Sequence, residues 1–229
     1  MTATAILPVK RFADAKRRLL DVIDARARAA LVKAMLADVL AALIAAQRVE
    51  RVIVVTGEGR AEKVALDHAR RVKMPIEVLR DPRDSGHPEA ATLGIVRAKA
   101  LGAECVALVP GDCPLLGPAE LDAALERMSD GRVSVVPDRH TTGTNALLMA
   151  PPDAIAPGFG PGSRDRHVER ARRRGLEAAV EELESLALDL DTPDDLEVLA
   201  ATLAGDCSRA PATAEALEEL GLARAGSGG

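Results

Sequence analysis

The sequence alternates short apolar runs with longer segments of helical periodicity, and this alternation restricts the fold more than any other feature. Unbroken apolar runs bounded by turn residues are typical of strands buried on both faces of a parallel sheet. The pattern therefore predicts an α/β fold with three layers and a mostly parallel sheet. The predicted strands are residues 4–9, 51–56, 76–79, 105–109 and 132–137, and the predicted helices are residues 25–46, 61–70, 88–101 and 119–128.

The second half of the sequence is less regular. It predicts short strands at 145–150, 178–180 and 186–189 and helices at 163–174 and 193–203. No internal linker rich in glycine and serine divides the chain, so we expect residues 1–204 to form a single domain. Residues 205–229 end in Gly-Ser-Gly-Gly and are expected to form a flexible, partly helical and loosely held C-terminal tail.

Composition argues against several classes of protein. The formal net charge is −5, and the chain has two phenylalanines and no tryptophan or tyrosine, so we expect no nucleic-acid partner. Three scattered cysteines predict neither a zinc site nor a disulfide framework and fit a reducing cytoplasm. We see no signal peptide, and the strongly apolar stretch 39–46 is too short to span a bilayer, so no membrane association is expected.

The apolar run 106–109 leads directly into Pro110, Gly111 and Asp112. Asp112 is therefore expected at the carboxyl end of a strand, where ligands bind in open α/β sheets. A carboxylate in that position suits a hard cation such as Mg²⁺. The alternative is that Asp112 only caps the helix that follows.

A basic segment follows the first predicted strand. Its cations are placed where a nucleoside triphosphate would meet the sheet, and they would neutralise phosphate charge. The alternative is a solvated basic face of the next helix. Neither a P-loop nor a G-x-G-x-x-G fingerprint is present. The basic residues are Lys10, Arg11, Lys16, Arg17 and Arg18.

Four aspartates lie between residues 189 and 195. On the predicted strand, Asp189 and Asp191 would project from one face, where two like charges call for a cation between them. Asp194 and Asp195 follow in the first turn of a helix that begins at Pro193, and there the helix dipole alone explains them.

Two further segments suit small anionic or polar ligands. Ser163 is predicted to be a helix N-cap without a capping box, and Arg164 and Arg166 add positive charge in the first turn. This combination favours a bound phosphate or carboxylate. Residues 137–145 place hydroxyls and an amide beside Gly143, which alone indicates only a turn.

Taken together, these segments resemble the guanylyltransferases that act on 2-phospho-L-lactate or phosphoenolpyruvate during biosynthesis of the deazaflavin coenzyme F(420). They occur in family order between residues 4 and 203. The matching pieces are Pro8-Val9-Lys10, Ala15-Lys16-x-Arg18-Leu19, Pro110-Gly111-Asp112-Cys113-Pro114-Leu115, Pro137-Asp138-Arg139, Gly143-Thr144-Asn145-Ala146-Leu147, Phe159-Gly160-x-Gly162-Ser163 and Leu188-Asp189-Leu190-Asp191-Thr192-Pro193.

The resemblance implies a fold like that of nucleotide-diphospho-sugar transferases and the molybdenum-cofactor guanylyltransferases. It also implies roles for individual residues. Thr144, Gly160 and Ser163 would bind the phosphorylated acid, and Asp112, Asp189 and Asp191 would hold Mg²⁺. Lys10, Arg11, Lys16 and Gly86 would bind the nucleotide, with Lys10, Lys16 and Asp112 as the catalytic groups. Many relatives have Gly-Leu-Asn where this chain has Gly86-His87-Pro88, so the resemblance leaves the details of guanine recognition open.

The implied reaction joins GMP from GTP to the phosphate of phosphoenolpyruvate and releases pyrophosphate. Phosphoenolpyruvate is favoured because the composition, rich in alanine and arginine, resembles that of a high-GC bacterium. The acceptors 2-phospho-L-lactate and 3-phosphoglycerate, a nucleotidyltransferase that uses CTP or a sugar phosphate, and a non-catalytic nucleotide-binding module remain alternatives. A homodimer is left open.

Overall fold

A seven-stranded sheet forms the centre of the molecule. This computed structural model describes residues 1–12, 16–19, 22–81 and 86–222; of Arg17 it describes the backbone only. The strands are β1 (Ala3–Val9), β2 (Val49–Thr56), β3 (Ile76–Arg80), β4 (Val106–Leu108), β5 (Arg132–Pro137), β6 (Thr144–Ala150) and β7 (Glu177–Val180). The helices are α1 (Ala25–Ala45), α2 (Gly59–Ala69), α3 (His87–Ala100), α4 (Pro118–Glu126), α5 (Ser163–Arg173), α6 (Glu184–Ala187), α7 (Pro193–Gly205) and α8 (Pro211–Glu219), with 3₁₀ turns at Arg17–Leu19 and Cys207–Arg209.

The strand order is β3-β2-β1-β4-β6-β5-β7. Only β6 runs against its neighbours, because it pairs antiparallel with both β4 and β5, whereas the other pairs are parallel. The prediction of a mostly parallel sheet is therefore confirmed. The insertion of β6 places the start of that strand beside the carboxyl end of β4, where Asp112 follows.

Apolar residues on the two faces of the sheet form two cores. Alternate residues of a strand point to opposite faces, so Leu7 of β1 packs in the cluster built with α1, whereas Ile6 packs in the cluster built with α3. The first cluster also takes in helices α2, α4, α7 and α8, and the second takes in α5. The molecule thus has the three layers that the sequence predicts. Within the described residues, no helix combines the length and apolar character needed to cross a bilayer.

Two predictions about the C-terminal third are wrong. Residues 186–189 do not form a strand: the single turn α6 ends at Ala187, and the chain then continues extended through Leu188. Part of the predicted tail is packed rather than loose. Asp38 of α1 accepts hydrogen bonds from Ala212 N–H and Thr213 N–H at 3.1 and 2.7 Å, and Leu217 is buried, because α8 lies against α1. Residues 223–229 of that tail lie outside the described residues.

Candidate active site

A cleft opens at the carboxyl ends of β1 and β4. Its lining includes Lys10, Lys16, His87, Asp112 and Asp191, together with backbone of the Pro-Gly turn after β4. These residues come from four separate segments of sequence, and the parallel pairing of β1 with β4 brings the first and third of them together. The cleft therefore lies where open α/β sheets bind ligands.

Lys16 connects two of the predicted metal ligands. Its ammonium group donates to the carboxylate of Asp112 and, at 2.8 Å, to Oδ1 of Asp191, and its side chain is only 6% exposed. Burial alone would lower the pKa of Lys16, but the charges of both aspartates and their hydrogen bonds outweigh it and raise that pKa. Lys16 is thus a permanently charged group at the base of the cleft.

Asp189 lies in the same cluster but is held differently. Asn145 donates from Nδ2 to Oδ1 of Asp189 at 3.3 Å and to the carbonyls of Leu186 and Ala187 at 2.8 and 3.2 Å. Burial, followed by the charges of Asp112 and Asp191, raises the pKa of Asp189 to about 6. The amide of Asn145 is therefore used inside the protein, although the sequence offered it as a ligand group.

The carboxylates still project together, even though the strand that was predicted to align them is absent. Leu188 and Leu190 are buried in the core, and Leu190 N–H donates to the carbonyl of Asp112 at 3.2 Å. An extended segment alternates its side chains as a strand does, so Asp189 and Asp191 project away from the core that buries Leu188 and Leu190, and Asp191 lines the cleft. The sequence argument reached the right orientation through the wrong element.

The carboxylates of Asp112, Asp189 and Asp191 are chemically suitable ligands for a hard divalent cation, but their arrangement fits one less well. Three mutually repelling aspartate side chains, with one raised pKa among them, are the oxygen ligands that Mg²⁺ prefers. In the part of the chain that the structure describes, however, no three acidic, histidine or cysteine side chains are arranged to hold a metal ion. The ammonium group of Lys16 contacts two of the three aspartates instead.

Asp195 does more than complement a helix dipole. Thr192 caps α7, and Asp195 completes a capping box with it. The same carboxylate accepts the N–H of Asp191 at 3.0 Å and pairs with Arg139 at 2.6 Å. The sequence therefore predicted the helix start correctly but missed that Asp195 fixes the backbone of a cleft residue.

A second cluster forms where α5 meets β6. Thr144 Oγ1 lies 3.0 Å from Nδ1 of His167, which is completely buried, and Gly158 N–H donates to Nε2 of the same ring at 2.9 Å. Ser163 is one helical turn before His167, on the same face of α5. Its Oγ is buried without a hydrogen-bond partner among the described residues. Two of the predicted acceptor residues, Thr144 and Ser163, are therefore both associated with His167.

The prediction that Ser163 is the N-cap of α5 is wrong. Gly162 is the N-cap, with a φ of +68° that favours glycine, and it provides no side-chain hydrogen bond. Ser163 becomes the first residue of the helix, and its N–H donates to the carbonyl of Gly160 at 3.0 Å. The hydroxyl of Ser163 therefore makes no capping hydrogen bond.

Arginines of α5 hold the irregular segment that precedes the helix. Arg166 donates to the carbonyls of Pro161 and Gly158, and Arg170 donates to that of Ala156 at 2.7 Å. A Cβ at Gly158 would overlap the guanidinium of Arg170. These contacts hold the segment that contains Phe159 and Gly160 against α5.

An aromatic chain links the two clusters. The ring of Phe159 lies edge-on to His87, with centroids 4.7 Å apart, and edge-on to His167 at 5.5 Å. Burial, with the charges of Lys10 and Lys16, lowers the pKa of His87 to about 4 against the opposing charge of Asp112. The neutral ring of His87 therefore lies between the charged cleft and the second cluster, around His167. The first two residues of β6 give a second link, since Thr144 contacts His167 and Asn145 contacts Asp189.

The remaining predicted residues lie at the rim of the cleft. Lys10 is part of its lining and Arg11 follows it as an exposed residue. Gly86 is the N-cap of α3 with a φ of +102°, next to His87. Residues 82–85, which precede Gly86 in the predicted polar loop, and residues 13–15 of the basic segment lie outside the described residues, as does the side chain of Arg17.

Sequence reasoning missed three residues that organise the site, namely Glu58, His87 and His167, and it missed the internal hydrogen bonds of Asn145. His167 had a signal, since it follows the predicted ligand Ser163 by one helical turn. Glu58 had none, because its carboxylate accepts the N–H of Phe12 at 3.1 Å across 46 positions, and only the pairing of β1 with β2 brings them together.

Comparison with solved structures supports the fold assignment. A nucleotide-diphospho-sugar transferase from Desulfovibrio desulfuricans, so described, superposes with a TM-score of 0.69 at 21% identity, over 96% of this chain and 95% of that one. A cytidylyltransferase from Leptospira borgpetersenii superposes with a TM-score of 0.59 at 15% identity, over the whole of both chains. The predicted fold, like that of nucleotide-diphospho-sugar transferases, is confirmed.

Sequence relatives are closer. The phosphoenolpyruvate guanylyltransferase of Conexibacter woesei is 43% identical over 222 residues, which is 96% of this chain and 97% of that protein. The 3-phospho-D-glycerate guanylyltransferase of Phenylobacterium zucineum is 40% identical over 95% of this chain and 96% of its own length. The family described as "Guanylyl transferase CofC like" matches residues 3–222. The resemblance seen in the sequence is thereby confirmed, and the chain belongs to the family of CofC-like guanylyl transferases.

Proposed function

We propose that this protein transfers GMP from GTP to the phosphate of phosphoenolpyruvate, with release of pyrophosphate, as a cytoplasmic enzyme of coenzyme F(420) biosynthesis. The observation that carries the proposal is the identity of 43% with the phosphoenolpyruvate guanylyltransferase of Conexibacter woesei along nearly the whole of both chains. The two linked clusters support it, because one is cationic and acidic and the other presents hydroxyl groups.

The reaction needs no protein base. A phosphate monoester is mostly a dianion at neutral pH, so one of its oxygens can attack the α-phosphorus of GTP directly. The new bond joins that oxygen to the α-phosphorus, and the bond from the α-phosphorus to the bridging oxygen of the β-phosphate breaks. Pyrophosphate leaves with the electron pair. The protein's contribution is to position two anions in line and to offset their charge.

Individual residues divide that contribution. Lys16, whose side chain is held at the base of the cleft, and Lys10 at its rim would neutralise the phosphates of GTP. Thr144, Gly160 and Ser163 would bind the phospho-acid, and Gly86 and Arg11 would border the nucleotide. Asp112, Asp189 and Asp191 would hold Mg²⁺, which would offset the negative charge of the phosphates when bound.

A second acceptor has direct support. The relative from Phenylobacterium zucineum, 40% identical over 222 residues, is named for 3-phospho-D-glycerate. That acid and phosphoenolpyruvate share a phosphate and a carboxylate, so the same hydroxyl cluster would suit either.

Pyrophosphate release tests the proposal. Purified protein is incubated with Mg²⁺, each of the four nucleoside triphosphates and each of three phospho-acids: phosphoenolpyruvate, 2-phospho-L-lactate and 3-phospho-D-glycerate. GTP with phosphoenolpyruvate is expected to be the fastest pair. Faster turnover with 3-phospho-D-glycerate would replace the acceptor, and faster turnover with CTP would replace the nucleotide. Absence of release from all twelve pairs would overturn the enzyme assignment.

A further inference from the structure

His167 is the one completely buried histidine in the described part of the chain, and both of its ring nitrogens have partners. It lies on α5, next to Thr144 and one helical turn after Ser163. Gly158 N–H donates to Nε2 at 2.9 Å, and Oγ1 of Thr144 is 3.0 Å from Nδ1. The proposed reaction gives this ring no chemical step, so its two fixed hydrogen bonds need another explanation.

The partner on Nε2 decides the tautomer. A backbone N–H can only donate, so Nε2 must present its lone pair to Gly158. Burial, followed by the charges of Arg170 and Arg166, lowers the pKa of His167 to about 4, so the ring is neutral at pH 7. A neutral imidazole with a bare Nε2 carries its single hydrogen on Nδ1. His167 therefore donates to Thr144.

This direction determines what Thr144 can offer a ligand. A hydroxyl has one hydrogen, and because Oγ1 accepts from His167, that hydrogen is not used in the contact. Among the hydrogen bonds of the described residues, none has the hydroxyl of Thr144 as a donor to another acceptor. A hydroxyl that already accepts a hydrogen bond also becomes a stronger donor.

The opposite tautomer would reverse this arrangement. With hydrogen on Nε2, the ring would face the N–H of Gly158 with a second donor, and Thr144 would have to donate to Nδ1. The hydroxyl would then show a lone pair to an incoming anion, which repels it. The hydrogen bond from Gly158 to His167 thus determines whether the hydroxyl of Thr144, the next group in this chain of hydrogen bonds, acts as a donor or as an acceptor.

We propose that His167, held as the Nδ1–H tautomer by Gly158, is a positioning residue that keeps the hydroxyl of Thr144 as a donor to an oxyanion of the acceptor. The inference rests on the proposed function, because it takes the phosphate or carboxylate of a phospho-acid as that oxyanion. It also explains why a buried histidine, rather than an apolar residue, occupies this position on α5.

Two amide variants test the hydrogen bonds of the two ring nitrogens of His167 separately. In His167→Asn, the amide nitrogen can take the place of Nδ1 and still donate to Thr144. In His167→Gln, the longer side chain can place its oxygen near Nε2 and accept from Gly158, but the donor to Thr144 is lost. Steady-state pyrophosphate release gives KM for phosphoenolpyruvate, KM for GTP and kcat, and His68→Gln on α2 serves as a control.

The expected result is a split between the variants. His167→Gln should raise KM for phosphoenolpyruvate by roughly tenfold to a hundredfold, the effect of losing a hydrogen bond to a charged group, with KM for GTP nearly unchanged. His167→Asn should stay within about threefold of the wild type, an allowance for the smaller side chain. In the background of Thr144→Val, His167→Gln should have little further effect, since the histidine acts through that hydroxyl.

A purely structural role would give a different pattern. Equal increases of KM in both amide variants, in step with their loss of melting temperature, would overturn the proposal. So would additive effects of His167→Gln and Thr144→Val.

The tautomer itself is tested without turnover. A long-range ¹H–¹⁵N NMR spectrum at pH 7, assigned with His167→Gln, should show His167 with hydrogen on Nδ1 and a bare Nε2. Hydrogen on Nε2, or a charged ring, would overturn the proposal. A wild-type protein inactive with every phospho-acid would overturn the proposed function and with it the acceptor role, while the NMR spectrum would still decide the tautomer.

Discussion

Nζ of Lys16 lies 2.8 Å from Oδ1 of Asp191, and the same ammonium group donates to Asp112. Three residues that are far apart in sequence thus form one charged cluster. The lysine occupies the space between two carboxylates that the sequence assigned to a metal ion. We infer that Lys16 has two roles. It offsets the negative charge of Asp112 and Asp191 in the free protein, and it lines the cleft, where it can meet a phosphate.

Lys16→Met should lower turnover and strengthen metal binding. Loss of a charged hydrogen-bond donor to a phosphate costs on the order of 1.5–3 kcal/mol, which is roughly a tenfold to hundredfold loss of kcat/KM for GTP. Without nucleotide, the affinity for Mn²⁺, measured by electron paramagnetic resonance, should increase because the competing ammonium group is gone. Lys63→Met, on the exposed face of α2, is the control. Unchanged turnover would show that Lys16 does not contact GTP.

The aspartates near α7 should differ sharply from one another. Asp189→Asn and Asp191→Asn are expected to cut turnover by several orders of magnitude. Asp194→Asn, at an exposed position, should keep turnover and cost only the ~0.3–1 kcal/mol of a charge at a helix terminus. Turnover and melting temperature of the three variants, with and without Mg²⁺, check this. An inactive Asp194→Asn beside active Asp189→Asn and Asp191→Asn would place the metal elsewhere.

The same variants should separate in stability without metal. Asp191 is paired with Lys16, so its neutralisation removes a favourable contact and should lower the melting temperature. Asp189 faces the charges of Asp112 and Asp191 and is bonded to the neutral Asn145, so Asp189→Asn should raise it. The order of the two melting temperatures is the measurement.

Much of the sheet follows from local sequence. The first five predicted strands and the helices between them match the structure within a few residues, because the apolar runs are largely buried in every strand except β3 at the edge of the sheet. The failure at residues 186–189 has a physical cause. The side chain of Asn145 donates to the carbonyls of Leu186 and Ala187, and the N–H of Arg139, just after β5, also donates to that of Ala187, so these groups form no strand ladder.

The candidate site likewise contains residues that the sequence could predict and residues that it could not. Lys16, Asp112 and Asp191 could be predicted, and they do meet. Lys16 lies in the basic segment after β1, Asp112 follows the Pro-Gly turn after β4, and Asp191 alternates with Asp189 just before α7. Asn145, Glu58 and His167 act through contacts over 44, 46 and 23 positions, to Asp189, Phe12 and Thr144. Such partners depend on strand order and helix packing, which local pattern does not encode.

Glu58 should make stability depend on pH at the basic segment. A hydrogen bond from the side chain of Arg60, with backbone N–H groups of Arg60 and Phe12, lowers the pKa of Glu58 to about 2 from an ordinary 4.5, although partial burial opposes this. A depressed pKa contributes stability above the unfolded value, and that contribution is lost as the pH falls from 4.5 towards 2. The wild type should therefore lose part of its advantage over Glu58→Gln in that window.

Urea unfolding at pH 5.5 and pH 3.5 measures this difference. The gap in unfolding free energy between the wild type and Glu58→Gln should be larger at pH 5.5. Glu215→Gln, at an exposed position on α8, is the control and should give a small gap at both values. A gap for Glu58→Gln that is the same at both pH values would mean that its carboxylate is not held in this way.

Gly94→Ala should destabilise the protein even though alanine favours helices. Gly94 lies in the middle of α3, where that helix crosses β1 and β2 at close range. A Cβ at this position would overlap Cγ2 of Ile6 and lie 3.2 Å from Cγ2 of Val55. Overpacking of a core costs about 1–3 kcal/mol, while the helix propensity of alanine returns ~1 kcal/mol. The net effect should be a lower free energy of unfolding.

Gly59→Ala is the matched control, since Gly59 begins α2 and its Cβ would meet nothing within 4 Å. Urea unfolding of both variants should show a loss for Gly94→Ala only. Because α3 begins at His87, the displaced helix should also raise KM for GTP. An unchanged free energy of unfolding in Gly94→Ala would mean that α3 does not lie as close to β1 as the structure places it.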